Sequence, residues 1–207
     1  SATTMPKYCK SIQEKLKHLN INVLYNPEFI AQGNIINGLK TADMVLIGGN
    51  PPETLLDLYK NIMDVTPVFN ILSLTGAELA KISINCYLSL KIGYANLIGR
   101  IAIDSGEQEN ISSILSTIGS DSRIGNKYLK YGFPSSGICL PRDLRALNTY
   151  TDDLGLNNSF IENIINQSYQ QLDYMERFYM KENPDRNVPF VFSYITYKPD
   201  VDIFTES

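Results

Sequence analysis

The 207 residues contain one histidine, three cysteines and no uninterrupted apolar run approaching 18 residues. A single histidine, His18, removes most routes to a histidine-ligated zinc site or a Ser-His triad. The apolar runs are too short for a membrane-spanning helix. Residues 1–8 lack the apolar stretch and cleavage pattern of a secretory leader, so none is expected. Cys9, Cys86 and Cys139 are odd in number, widely spaced and without a CxxC pair. That predicts free thiols in a reducing compartment, the cytoplasm. Positive charge is also short: 18 Lys and Arg against 22 Asp and Glu leave a net charge of −4. This balance argues against a nucleic-acid partner, and no membrane partner is expected. A GxGxxG phosphate-binding turn is absent too. Any chemistry must rest on Cys, Lys, Asp, Glu, Asn or Thr.

What is present supports a packed core: 43% of residues are apolar and 19% charged. The pattern predicts a short helix over 8–18 and a strand over 21–25, broken by Asn26-Pro27. A second strand, 42–47, is closed by Gly48-Gly49. A helix then runs from 50 to about 63, with prolines in its first turn, and a third strand spans 68–72. Thr75-Gly76-Ala77-Glu78 has the spacing of a capping box and opens a helix over 75–104. Apolar residues lie on more than one face of that helix, which predicts burial in a core or between subunits. Helices are expected over 109–118 and 141–154, with a loop over 119–137 between them. Ser159-Phe160-Ile161-Glu162 reads as a second capping box opening a helix over 159–181, which Pro184 ends. Residues 188–197 are strand-like. The fold class is α/β followed by mainly α, in domains 1–72, 73–187 and 188–207. A lone terminal strand without a sheet partner suggests the middle of something larger.

Four segments carry chemical potential. Asn26-Pro27-Glu28-Phe29 places a carboxylate on a turn at a strand end. Lys81 and Asn85 lie at i and i+4 on one face of an otherwise apolar helix, where they need partners or a cavity. In Gly137-Ile138-Cys139-Leu140-Pro141-Arg142-Asp143, the proline predicts that Cys139 stands just before a helix N-terminus. The helix dipole and Arg142 would there favour a thiolate. The fourth, Asp121-Ser122-Arg123-Ile124-Gly125-Asn126, puts an arginine in a polar loop, a common anion contact. Each also has a plainer reading: a solvated Glu28, a Lys81 that snorkels to the surface, an inert core Cys139, an Asp143 that merely suits a first helical turn, a solvent-exposed Arg123.

Taken in order, these segments resemble the NAD-dependent nucleotide-sugar dehydrogenases of the UDP-glucose/GDP-mannose dehydrogenase type. Thr3-Thr4-Met5-Pro6 resembles that family's Ser-Thr-Val-Pro segment. Asn26-Pro27-Glu28-Phe29 through Gly33 resembles its Asn-Pro-Glu-Phe motif. Glu78-Leu79-Ala80-Lys81 with Asn85 resembles the start of its central helix. Residues 121–125 and 139–143 resemble its substrate loop and nucleophile, and Tyr197-Lys198-Pro199 with Glu206-Ser207 the start of its carboxy-terminal domain.

The resemblance implies a partial Rossmann-like layer, a helical central domain and oxidation of a nucleotide sugar such as UDP-glucose, with NAD. It implies that Cys139 attacks the aldehyde intermediate and that Lys81 and Asn85 stabilise the oxyanion. Asp143, Thr4 and a water would handle protons, and Glu28 would assist thioester hydrolysis. Arg123, Phe29, Gly137 and Lys198 would contact substrate, with Arg123 reaching from a partner subunit. Thr4, Glu28 and Arg142 would contact the cofactor. It also implies a homodimer paired through the helix over 75–104.

The sequence departs from the pattern in places. The loop Gly132-Phe133-Pro134-Ser135-Ser136-Gly137-Ile138 has two glycines replaced by Ser, and Ile138 where Ser is usual. Gln32 stands for Glu, Thr205 for Arg and Arg142 for Lys. With no GxGxxG, NAD is not expected to bind the isolated chain. The alternative reading is a catalytically inactive remnant that serves as an oligomerisation or interaction module.

Overall fold

The computed structural model describes residues 2–30, 34–191 and 196. Two compact units, Ser1–Ile84 and Asn85–Ser207, divide within one long helix.

The first unit holds α1 (Tyr8–Leu16), a 3-10 turn (Lys17–Leu19), α2 (Ile35–Lys40), β1 (Val45–Gly48), α3 (Glu53–Ile62), β2 (Phe69–Leu72) and the start of α4 (Leu74–Asp104). β1 and β2 are parallel, in register from Val45 with Phe69 to Gly48 with Leu72. Parallel neighbours need a crossover, and α3 supplies it. All four residues of β1 are buried, as its unbroken apolar run demands. Leu46 packs with Cys9, Tyr25 and Ala77. Val45 and Ile47 pack with Met63 and α3.

Three local expectations need correction. The strand over 21–25 is reduced to one antiparallel bridge, Tyr25 with Gly48. The Gln13 side chain explains this. It donates to the Ile21 carbonyl at 2.8 Å and accepts the Val23 N–H at 2.7 Å, taking groups a ladder would need. Helix α2 was not foreseen; its six residues are too few to show a period. The capping box at Thr75 is displaced. α4 starts at Leu74, and the Ser73 hydroxyl accepts the Gly76 N–H at 3.1 Å. Glu78, freed from that duty, bonds to the segment that opens α1.

The second unit holds the rest of α4, a 3-10 turn (Gln108–Asn110), α5 (Ile111–Ser120), α6 (Cys139–Asp153) and α7 (Ser159–Glu182). Ala95 and Ala102 of α4 pack against Ile111 and Leu115 of α5 and Leu129 of the following loop. Cys86 packs against Leu144 of α6 and Ile161 and Ile164 of α7. α6 begins at Cys139, two residues earlier than expected. Pro141 is tolerated as its third residue because first-turn N–H groups lack intrahelical partners. Ser159 is likewise inside α7 rather than its cap, and its N–H is taken by Asn157 Oδ1 at 2.9 Å. Residues 188–191 form no strand. The rest of the expected terminal strand, apart from Thr196, lies outside the described residues. Among the described residues, no helix is long and apolar enough to cross a membrane.

The Tyr131 ring of the loop stands against α4 at Gly99: a Cβ added to that glycine would stand 2.0 Å from the ring. Alanine favours helix over glycine by about 1 kcal/mol, but overlap of this size costs about 1–3 kcal/mol or more. Gly99→Ala is therefore expected to destabilise the chain, and adding Tyr131→Ala to recover part of the loss. Urea titration of the three variants checks both.

Candidate functional site

In the first unit, the buried Lys81 ammonium donates to the Glu28 carbonyl. It also stands 4.1 Å from the centroid of the Phe29 ring. The lysine does not snorkel. It ties α4 to the Asn-Pro-Glu-Phe segment through a backbone carbonyl and a ring face, both suited to a partly desolvated cation. The Glu28 residue itself is exposed. Nearby on α4, Glu78 is fully buried. Its carboxylate accepts the Thr4 hydroxyl at 3.0 Å, the Lys7 N–H at 2.8 Å and the Cys9 N–H at 2.7 Å. It thus satisfies amides at the start of α1 and holds the Thr4 side chain. Burial, then the adjacent Glu78, push the Cys9 thiol up to about 11. Sequence reasoning gave Glu78 no role in the site. Its position three residues before Lys81, on the same apolar helix, was the available signal.

In the second unit, Asn85 Nδ2 donates to Asp143 Oδ2 at 2.6 Å. Asp143 is fully buried, and Arg142 donates to its other oxygen through Nε and a terminal nitrogen, each at 2.8 Å. This corrects two expectations. Arg142 pairs with Asp143 rather than with the thiol, because a buried carboxylate is the stronger partner. Cys139 is the first residue of α6 rather than the one before it, and it is exposed. Gly137, two residues earlier, has φ +78, which glycine adopts without strain. The Cys86 thiol is pushed up to about 12, by burial first and then by the charge of Asp143.

Arg123 stands apart from this group. Its side chain is 86% exposed. Asp121 takes it as a fork, Nε to Oδ1 at 2.9 Å and a terminal nitrogen to Oδ2 at 2.6 Å. The guanidinium holds the Asp121 carboxyl below its ordinary range. The preceding residues of α4 reach the same loop: Lys91 donates to the carbonyls of Ile124 and Gly125 at 3.1 and 3.0 Å. Lys198 and Gly33 lie outside the described residues.

The turn after β1 does not fit a dinucleotide pyrophosphate. The Gly48 and Gly49 amides go to the carbonyls of Tyr25 and Leu72. Pro51 and Pro52 have no N–H, and α3 opens on the acidic Glu53, the wrong sign for an anion. Among the described residues, no group of three His, Cys, Asp or Glu could hold a metal ion.

Two models of one family match the chain. The UDP-glucose/GDP-mannose dehydrogenase family, NAD binding domain, matches residues 1–64, and its central domain matches 75–168. A UDP-glucose 6-dehydrogenase of Rickettsia bellii is 30% identical over 175 residues, 82% of this chain and 40% of that protein. A putative UDP-glucose 6-dehydrogenase of Bacillus subtilis is 37% identical over 131 residues, 61% of this chain and 29% of that protein. The structure of a UDP-glucose dehydrogenase from Pyrobaculum islandicum superposes with a TM-score of 0.75 at 26% identity. That match covers 89% of this chain and 42% of the other. This chain therefore spans less than half the length of each.

The thiols give a test. Cys139 is exposed while Cys9 and Cys86 are buried, so iodoacetamide at neutral pH should label Cys139 first, as peptide mass mapping will read. Raised folded-state pKa values stabilise the protonated fold. For Cys86 that contribution is complete below its ordinary 9.0 and is lost as pH rises towards about 12. Cys86→Ala should therefore lose less stability than the parent between those pH values in denaturant titrations.

Proposed function

The chain belongs to the UDP-glucose/GDP-mannose dehydrogenase family, and from that premise we propose that it is the central part of an NAD-dependent nucleotide-sugar dehydrogenase. The reaction is oxidation of the primary alcohol of a nucleotide sugar such as UDP-glucose to a carboxylate, through a thioester on Cys139. One observation carries this reading: the 2.6 Å bond from Asn85 to the buried Asp143. It joins the α4 motif to the α6 motif across 58 positions, and accidental matches would have no reason to share a buried polar contact.

In this reading the Cys139 thiolate adds to the aldehyde carbon. The N–H donors Lys81 and Asn85 offset the charge that forms on oxygen. Asp143, held by Asn85 and Arg142, and Thr4, held by Glu78, manage protons, and Glu28 assists the water that hydrolyses the thioester. Phe29, Gly137, Lys198 and Arg123 contact the substrate, and the exposure of Arg123 suits an arginine that serves a partner subunit. Two NAD per turnover, each able to accept one hydride, would supply the oxidant for the aldehyde-forming and thioester-forming oxidations, with Thr4, Glu28 and Arg142 as the contacts that would hold it. The turn after β1 offers its pyrophosphate no cradle, so the rest of that site belongs to sequence beyond this chain. Residues 1–72 are then part of the NAD-binding domain, 73–187 the central domain and 188–207 the start of a third. The free cysteines support a cytoplasmic setting.

A second reading, an inactive module that oligomerises, shares one element with the first. Tyr87, Tyr94, Leu97 and Ile101 of α4 are exposed, and their spacing makes one apolar stripe. Both readings make it the homodimer contact.

The full gene product carrying this chain, given UDP-glucose and NAD, should yield the uronic acid. Cys139→Ser should lower carboxylate formation by roughly 10³-fold or more. An unmutated gene product that binds the sugar nucleotide but never oxidises it would favour the inactive module. The isolated chain should show no micromolar NAD affinity by calorimetric titration. It should sediment as a dimer at tens of micromolar and as a monomer when Tyr94→Asp is introduced; a monomeric parent rejects the α4 contact.

A further inference from the structure

Helix α6 opens without a side-chain cap. First-turn N–H groups have no intrahelical partner, so such an end frays unless something else holds it. Cys139 is the first residue of that turn. The order of the thiol therefore depends on the chain that leads into it.

That chain is held at four residues, 131, 132, 133 and 135. The Tyr131 ring lies on Gly99 of α4. Asn96 of α4 accepts the Gly132 N–H at 2.9 Å and donates to the Phe133 carbonyl at 3.1 Å. Gln171 of α7 donates to the Gly132 carbonyl at 2.7 Å. The Ser135 hydroxyl bonds that of Ser168, also on α7, at 2.9 Å. Three residues, 136–138, then separate the last tie from Cys139. Four Cα–Cα steps, about 13–15 Å at most, therefore bound how far Cys139 can move from that tie.

Asn96 and Gln171 are each 1% exposed. A buried amide costs about 1–3 kcal/mol where it lacks a partner, and Gln171 Oε1 has no hydrogen-bond partner among the described residues. An apolar side chain at position 171 would remove that unpaired oxygen but leave the Gly132 carbonyl without its donor. The amide instead contributes a directional bond to one carbonyl of this loop.

We infer that Asn96 and Gln171 are positioning residues for Cys139: by fixing the peptide groups on both sides of Gly132 between α4 and α7, they hold the uncapped first turn of α6 and the thiol it carries. The inference rests on the reading of Cys139 as nucleophile. Neither residue belongs to a motif that carries the family resemblance. Both act at a distance from the reacting atoms, through the loop.

Hydrogen exchange read by mass spectrometry on the 207-residue chain tests this. In Gln171→Met, which keeps bulk and loses the donor, amides of 132–140 should exchange about tenfold faster, the worth of one buried hydrogen bond. Protection in α5 and the middle of α7 should hold. Ser168→Ala is a milder variant in case Gln171→Met does not fold, and should loosen the same segment by a few-fold. Asn96→Asp supplies a signature that plain destabilisation lacks. Its carboxylate accepts the Gly132 N–H but repels the Phe133 carbonyl, and once protonated it donates to that carbonyl. Loop protection, corrected for intrinsic rates, should therefore recover as the introduced carboxyl is protonated. In the full gene product, Gln171→Met should lower kcat about tenfold with KM within about twofold.

Unchanged loop exchange, or protection lost equally in α5 and α7, would overturn the inference. So would an unchanged kcat in a gene product that needs Cys139. If Cys139→Ser leaves carboxylate formation intact, the nucleophile reading fails instead, and the exchange measurements still report whether the clamp orders the loop.

Discussion

The polar contacts of this chain depend on a constraint placed on α4: polar side chains buried on one helix must each find a partner. Glu78, Lys81, Ser89 and Asn96 are buried and Asn85 is half-buried. Their spacing of three, four, four and seven residues puts them on one face. An unpaired amide, ammonium or carboxylate there would cost more than most single contacts contribute. Each is paired, and all but Ser89 take a different stretch of chain. Glu78 takes the start of α1. Lys81 takes the carbonyl and ring of the Glu28-Phe29 turn, Asn85 takes Asp143 of α6, and Asn96 takes the loop before Cys139. Ser89 turns back to the Asn85 carbonyl at 3.1 Å. The apolar core packs the units, but this stripe decides which peptide group stands where.

The electrostatic consequences follow from the same burial. Asp143 has both oxygens engaged, one by Asn85 and one by Arg142. A charge held in this way is tolerated in a protein interior, whereas a second anion beside it is not. Cys86 lies within reach of that charge and its thiol rises. Cys9, next to Glu78, rises for the same two causes. Burial and a neighbouring carboxylate thus keep two of the three thiols protonated. Cys139, by contrast, is exposed at the start of α6.

The sequence made some of this legible and hid the rest for physical reasons. Helix α4 was readable as a long apolar stretch of more than eight turns without a proline, and Lys81 and Asn85 because polar residues at i and i+4 in an apolar helix are conspicuous. β1 was readable as an unbroken apolar run. What failed depended on partners distant in sequence. The strand over 21–25 has the right residues, but a glutamine of the preceding helix competes for its backbone. Glu78 has the spacing of a capping box and answers instead to residues more than seventy positions away. Arg142 beside Cys139 suggested a thiolate pair, yet the buried Asp143 next to it in the chain is the better electrostatic match. Asn96 and Gln171 looked like ordinary polar residues, because nothing local marks an amide that will read a distant peptide group.

The stripe also bears on assembly. An ordinary surface helix turns apolar residues inward and polar ones to water. α4 buries apolar residues such as Ile82, Cys86 and Ala95 and also a polar stripe. At about 100° per residue, the face with Tyr87, Tyr94, Leu97 and Ile101 lies roughly opposite the face with Glu78, Lys81, Asn85 and Asn96. The inward polar face is satisfied by its partners, so it gives no reason to expose the other. Yet those four apolar side chains remain between 37% and 58% exposed. Isolated exposed apolar residues need no explanation, but a stripe with near-heptad spacing on one rigid helix is a different matter. Water contact there is unfavourable in proportion to area. The proposed homodimer would cover it with a like helix related by two-fold symmetry, because a single stripe is then complementary to itself. The helix that buries these polar groups on one face thus leaves exposed on the other the apolar stripe on which that proposal rests.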